Sequence, residues 1–172
     1  KVCDLLLTQG KIIPAGQEKE WVNKLIREFI IENWESHDEP VHLKTIRERI
    51  FRQEKRAGRL LSMYQQILQE GFLKSDESSE QTELRLSGLV VKKDGNLVAY
   101  NKIYQSVFNE EWVKKELEKI RPYSEMLTGW MNSNYEDDSR LLRGKLLKDA
   151  LSWAMDKSLS DLDYRFLTES QN

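Results

Sequence analysis

His37, Asp38, Glu39 and His42 bring two imidazoles and two carboxylates into one short stretch, the donor types that hold a transition metal. Their spacing matches no ligand motif, and a solvated loop that begins at Glu35 and runs through Pro40 accounts for them. The run Glu136-Asp137-Asp138 offers the oxygen atoms of a calcium site but lacks the spacing and the glycine of an EF-hand loop, so helix-start charge is the better account. No motif sets a carboxylate pair in an apolar setting, and the two histidines share a loop without a thiol or a well-placed serine. Acid–base and nucleophilic catalysis therefore both lack their parts, and the chain reads as something other than an independent enzyme.

The main chemical signal is a concentration of cations. Lys44, Arg47, Arg49, Arg52, Lys55, Arg56 and Arg59 stand against only Glu48 and Glu54. Such a run is most often a solvated face; the functional alternatives are an acidic partner surface or phosphate. Lys44, Arg47, Arg52, Lys55, Arg56 and Arg59 are the candidate partner-facing or phosphate-facing surface. A second, smaller set lies at a hairpin tip, where Lys92 and Lys93 precede Asp94-Gly95; there, edge protection competes with phosphate contact.

The elements that must carry these cations are mainly helical. Trp21, Val22, Leu25, Ile26, Phe29, Ile30 and Trp34 recur at helical spacing from Glu18 onward, with charged residues between them. Leu43, Ile46, Ile50 and Phe51 form the buried stripe of the next helix. Gly58 is expected to mark a kink or break before a helix bearing Leu60, Leu61, Tyr64, Ile67 and Leu68, which Gly71 ends. A short third helix is expected over residues 80 to 87, N-capped by Ser79 and exposing Glu80, Gln81, Glu83 and Arg85. Then Leu89-Val90-Val91 and Leu97-Val98-Ala99-Tyr100 flank Lys93-Asp94-Gly95-Asn96, a strong hairpin signal.

The order helix, helix, helix, hairpin predicts a winged helix: a three-helix core with a two-stranded ribbon, in a chain that is mainly α. Beyond it, Asn109 reads as the N-cap of a helix bearing Trp112, Val113, Leu117 and Ile120, which Pro122 stops. Leu142, Leu146, Leu147, Ala150, Leu151 and Ala154 mark a further helix. Ser160 with Asp163 resembles a capping box, with Leu159 and Tyr164 as its hydrophobic staple. The expected divisions are 1–36, 40–109 and 110–172.

Composition bounds the partners. In 172 residues the formal net charge is −2, so no whole-chain field draws the protein to nucleic acid or to an anionic membrane. The sign of the charge on the third helix also argues against DNA reading, because Glu80 and Glu83 would face phosphates. Cys3 is the only cysteine, which makes a cytoplasmic origin the simpler reading, and no apolar run reaches the roughly 18 residues of a membrane span. The chain starts at Lys1 inside a helical pattern, so it reads as a fragment whose chemistry lies upstream.

Two stretches add a resemblance. EPVHLKTIRERIFRQEKRAGRLLSMYQQIL, continued by ELRLSGLVVKKDGNLVAYNKIYQSVF, resembles the winged-helix segment that follows the nucleotide-binding core in AAA-like signalling ATPases of the STAND class, particularly cyanobacterial ones. SRLLRGKLLKDALSWAMDKSLSDLDYRFLTES is similar to the linker that joins such ATPases to a sensor or effector region, often WD repeats; its pattern is R-L-L-R-G, then A-x-x-W, then F-L-x-x-S. The resemblance implies that residues 1–36 end a helical lid, that 40–109 are the winged helix and that 110–172 are the linker. It implies a regulatory module whose partners are the upstream nucleotide-binding domain and the downstream domain of the same chain.

The chain departs from the family in having no Gly-x-x-x-x-Gly-Lys-Ser/Thr loop and no strand ending in paired acids. ATP or ADP is thus expected only in the upstream core, with no cofactor in this segment. A family histidine near the end of the winged helix has no counterpart between Asn101 and Phe108. The alternative reading is a winged-helix DNA-binding transcriptional regulator.

Overall fold

The burial of one helix organises the first half of the molecule. In a computed structural model that describes residues 2–10, 12–32, 34–37 and 42–172, α5 (Glu54–Glu70) buries Leu60, Leu61, Tyr64 and Ile67 on a single stripe. Each of the three aliphatic side chains contributes about 1.5–3 kcal/mol relative to an exposed position. Around it pack α4 (Leu43–Phe51), α6 (Ser79–Leu86) and α8 (Glu110–Ile120), which supply Ile46, Ile50, Leu84, Val113 and Leu117 to the same core.

Upstream of them lie α1 (Val2–Thr8), α2 (Glu18–Ile26), a π-helical turn (Arg27–Ile31) and the short α3 (Trp34–His37). The Glu18 pattern is thus not one uninterrupted α-helix. The wide turn carries Ile30 into the core, and Trp34 follows from α3, so Glu35 and Ser36 are helical where a loop is expected.

The sheet differs from a simple two-stranded ribbon. β2 (Val90–Lys93) and β3 (Asn96–Ala99) form the expected hairpin, with positive φ at both Asp94 and Gly95 as a tight primed turn requires. A further strand, β1 (Leu73–Lys74), pairs antiparallel with β3 and gives the order β1-β3-β2. Two residues are too few to show an alternating pattern in sequence.

Gln81 also departs from its expected place. It is 3% exposed, not on the surface: its amide nitrogen donates to the Lys74 carbonyl (3.0 Å) while its oxygen accepts from the Asp76 N–H (3.1 Å). One side chain thereby satisfies two backbone groups just where β1 ends. The cap of α6 is Ser78, one residue before the expected Ser79.

Gly58 does not break the helix either. The break falls at Arg52 and Gln53, whose backbone is extended at Gln53, and Gly58 lies inside the first turns of α5. Burial of the stripe that follows outweighs the roughly 1 kcal/mol by which glycine is a poorer helix former than alanine. A Cβ at Gly58 would meet nothing within 4 Å. Gly58→Ala is therefore expected to raise stability by about 0.5–1 kcal/mol in urea denaturation, and a loss of stability would show hidden crowding.

The second half has its own core. After α7 (Lys102–Val107) and α8, the helices α9 (Ser124–Asn132), α10 (Gly144–Ala154) and α11 (Asp161–Gln171) bury Tyr123, Leu127, Trp130, Leu142, Ala150, Phe166 and Leu167 together. Leu146 faces outward rather than joining the α10 stripe. The expected capping box is present, with Ser160 and Asp163 bonding reciprocally. Tyr164 does not act as an apolar staple: its hydroxyl accepts from the Leu159 N–H and donates to the Lys157 carbonyl. Among the described residues no helix is long and apolar enough to cross a membrane.

Candidate interaction surface

The cations singled out by the sequence do not form one open face. Arg47 reaches Glu116 of α8 at 3.2 Å and lies over the Phe51 ring, 5.1 Å from its centroid. Arg56 pairs with Glu83 of α6 at 3.1 Å. Lys55 meets Asp156 at 2.8 Å, and Arg59 meets Asp161 at 2.7 Å. Lys44 also has a partner, whereas Arg52 and its neighbour Arg49 have none among the described residues. Much of the positive charge on α4 and α5 is therefore neutralised by carboxylates far away in sequence. At the hairpin, Lys92 pairs with Glu77, leaving Lys93, Asp94 and Gly95 at the exposed tip.

Of the residues with metal-donor side chains around Pro40, Asp38 and Glu39 lie outside the described residues, and His42 contacts the Tyr104 hydroxyl. Among the described residues no group of three or more His, Cys, Asp or Glu side chains is placed to hold a metal ion.

Two of the ion pairs belong to a polar seam between the cores. Lys55 and Arg59, on the first turns of α5, grip Asp156 and Asp161 at the two ends of the α10–α11 connection. Between them the Ser158 N–H donates to the Lys55 carbonyl at 2.9 Å, and Arg59 also donates to the Leu159 carbonyl. The seam continues to a buried site. Arg121, at the end of α8, holds Asp163 through two nitrogens, 2.7 Å to Oδ1 and 2.8 Å to Oδ2. Tyr123 donates to the same carboxylate at 3.1 Å, and burial followed by the Asp163 charge pushes its hydroxyl pKa up, so it stays a donor.

Nothing in the local sequence flags Arg121. The usable signal is Asp163 itself, a carboxylate three residues before the apolar pair Phe166-Leu167, hence on the buried face of its helix.

The Lys55–Asp156 pair predicts a pH response. The hydrogen bond and then the charge of Asp156 raise the Lys55 pKa, while Lys55 first, then Lys157, lowers that of Asp156. A lowered carboxylate stabilises above its unfolded pKa, near ~4, and loses that contribution as pH falls through its folded value; a raised lysine stabilises below ~10 and loses it as pH climbs past its folded value. Protection of the Ser158 amide should hold steady between about pH 5 and 9 and fall in acid. Protection unchanged in strong acid, followed by NMR exchange, would show that the pair does not hold the seam closed.

The chain is 52% identical over 176 aligned positions, its whole length, to a WD repeat-containing protein of Synechocystis sp.. It spans about 15% of the length of that relative, so what it resembles is one segment of a larger repeat-bearing protein. No family model and no solved structure matches the chain.

Proposed function

We propose that this chain is a non-catalytic regulatory and interaction module of a signal-transduction ATPase. It couples the nucleotide state of an upstream AAA-like core to a downstream domain, which by analogy with the Synechocystis relative is a WD-repeat region. ATP or ADP is bound by the upstream core, and the chemistry is done there. The resemblance of residues 39–68, 83–108 and 139–170 to STAND-class segments supports this reading, as does the helix, helix, helix, hairpin order for a winged helix.

The observation that carries it is the polar seam. Two separate apolar cores meet through ion pairs and a single backbone hydrogen bond at α5, while the buried Arg121–Asp163 contact fixes the other end. The Lys55–Asp156 and Arg59–Asp161 pairs each have a largely exposed partner, and such pairs contribute little and are screened by salt, so the α5 end is the weaker end of the seam. The Arg121 end serves as the pivot. A nucleotide drives such a motion only if it binds the open and closed arrangements with different affinity, about 1.4 kcal/mol for each tenfold difference.

Hydrogen exchange on the full-length parent protein tests this. Residues 155–161 and the first turns of α5 should change protection together between ADP, a non-hydrolysable ATP analogue and no nucleotide. Identical exchange in all three states would remove the proposal.

A further inference from the structure

One charged feature is not used by the seam. Between α4 and α6 runs an open groove of about 640 Å³, with Arg49, Arg52 and Arg56 on one wall and Thr82, Glu83 and Leu86 on the other. Arg56 is held by Glu83, but Arg49 and Arg52 are exposed and have no partner among the described residues. Leu86 is 72% exposed in the last turn of α6 and lines the same groove.

We propose that this groove binds an acidic amphipathic helix of a partner protein, with carboxylates one helical turn apart and an aliphatic residue between them. Arg49 and Arg52 are three positions apart at the end of α4, where the helical backbone continues through Arg52, so they project from one face a turn apart. Each guanidinium is a planar fork suited to a carboxylate. The geometry of the two cations therefore repeats the spacing of Asp or Glu on a helix, and Leu86 supplies the apolar contact that a purely electrostatic site lacks.

A nucleic-acid ligand fits less well. The groove's Glu83 is already neutralised by Arg56 and so does not separate the two ligand classes, but the exposed Leu86 gains nothing from a sugar–phosphate backbone. The inference holds whether or not an upstream core handles nucleotide.

The test is fluorescence anisotropy with the 172-residue chain and a labelled helical Glu/Ala peptide carrying one central leucine. Arg49→Glu with Arg52→Glu should weaken binding by about tenfold or more, and a Lys/Ala peptide with the same leucine should then bind the double variant in its place. Leu86→Ser should weaken the original peptide severalfold, as should serine in place of the peptide's leucine. These side chains are exposed and have no partner among the described residues, so circular dichroism should be unchanged.

The proposal fails if the double variant binds the acidic peptide like the parent, or if the leucine-free peptide binds equally well. It also fails if no acidic peptide binds at low salt. A DNA duplex that binds more tightly than the peptide, with an affinity unmoved by Leu86→Ser, would assign the groove to nucleic acid instead.

Discussion

Replacing Asp163 with alanine is expected to cost about 3–5 kcal/mol, read as a shift of the urea midpoint with the slope unchanged. Asp163 is 1% exposed and accepts from five donors: two nitrogens of Arg121, the Tyr123 hydroxyl, and the N–H and hydroxyl of Ser160. Alanine removes all of these acceptors at once. The Arg121 side chain, only 12% exposed, is then left as a buried charge without a counter-ion, and that desolvation is the largest part of the loss.

The remainder is the lost N3 half of the capping box on α11, typically ~1 kcal/mol for a cap. Two controls separate these contributions. Asp163→Asn keeps the shape and one acceptor but removes the charge, so it should fall between alanine and the parent. Arg121→Met combined with Asp163→Leu removes both charges and should recover much of the loss, as paired apolar replacements of buried ion pairs often do. A single Asp163→Ala change costing less than about 1 kcal/mol would mean that water reaches Arg121 and that the contact is no pivot.

The difference between the local capping box and the ion pairs of the seam explains which parts of the molecule were legible in the sequence. Local chemistry was readable. The α4 and α5 stripes, the Asp94-Gly95 turn, the Asn109 cap and the Ser160–Asp163 box all lie within a few residues of one another, and all are present. Contacts between distant segments were not. The cationic run on α4 and α5 was visible as charge, but its neutralisation by Glu116, Asp156 and Asp161 depends on how the helices fold back, which no spacing rule encodes.

Gln81 shows the same limit from the other side. A glutamine on a polar helix reads as exposed, and only the position of β1 gives its amide two backbone partners. β1 itself is held by pairing with β3, so its two residues carry no signal of their own. The groove formed by Arg49, Arg52 and Leu86 was half legible. The arginines stood out by charge, but Leu86, between Arg85 and Ser87, becomes informative only once α6 turns it outward.

Phe108→Ala is expected to be the most damaging of the purely apolar changes, at about 3–5 kcal/mol. Phe108 is fully buried where α7 ends and α8 has yet to begin. It meets the Trp34 ring edge-on at 5.4 Å and the Trp112 ring at 4.9 Å. It is therefore the middle of three aromatic rings that join α3 to α8 across the first core.

Truncation leaves a cavity that the flanking caps prevent the backbone from closing, since Asn101 holds the start of α7 and Asn109 the start of α8 through side-chain bonds to backbone N–H groups. Each edge-to-face pair adds about 0.5–1.5 kcal/mol beyond area burial, so both losses fall on the same substitution. Phe108→Leu should recover part of the burial but not the ring contacts. The distinguishing readout is local: hydrogen exchange should rise first at residues 34–37 and along α8, while α9 to α11, whose core contains neither tryptophan, keep their protection. Uniform loss of protection across both cores would instead show that they unfold as one unit and that the polar seam transmits more stability than its exposed ion pairs account for.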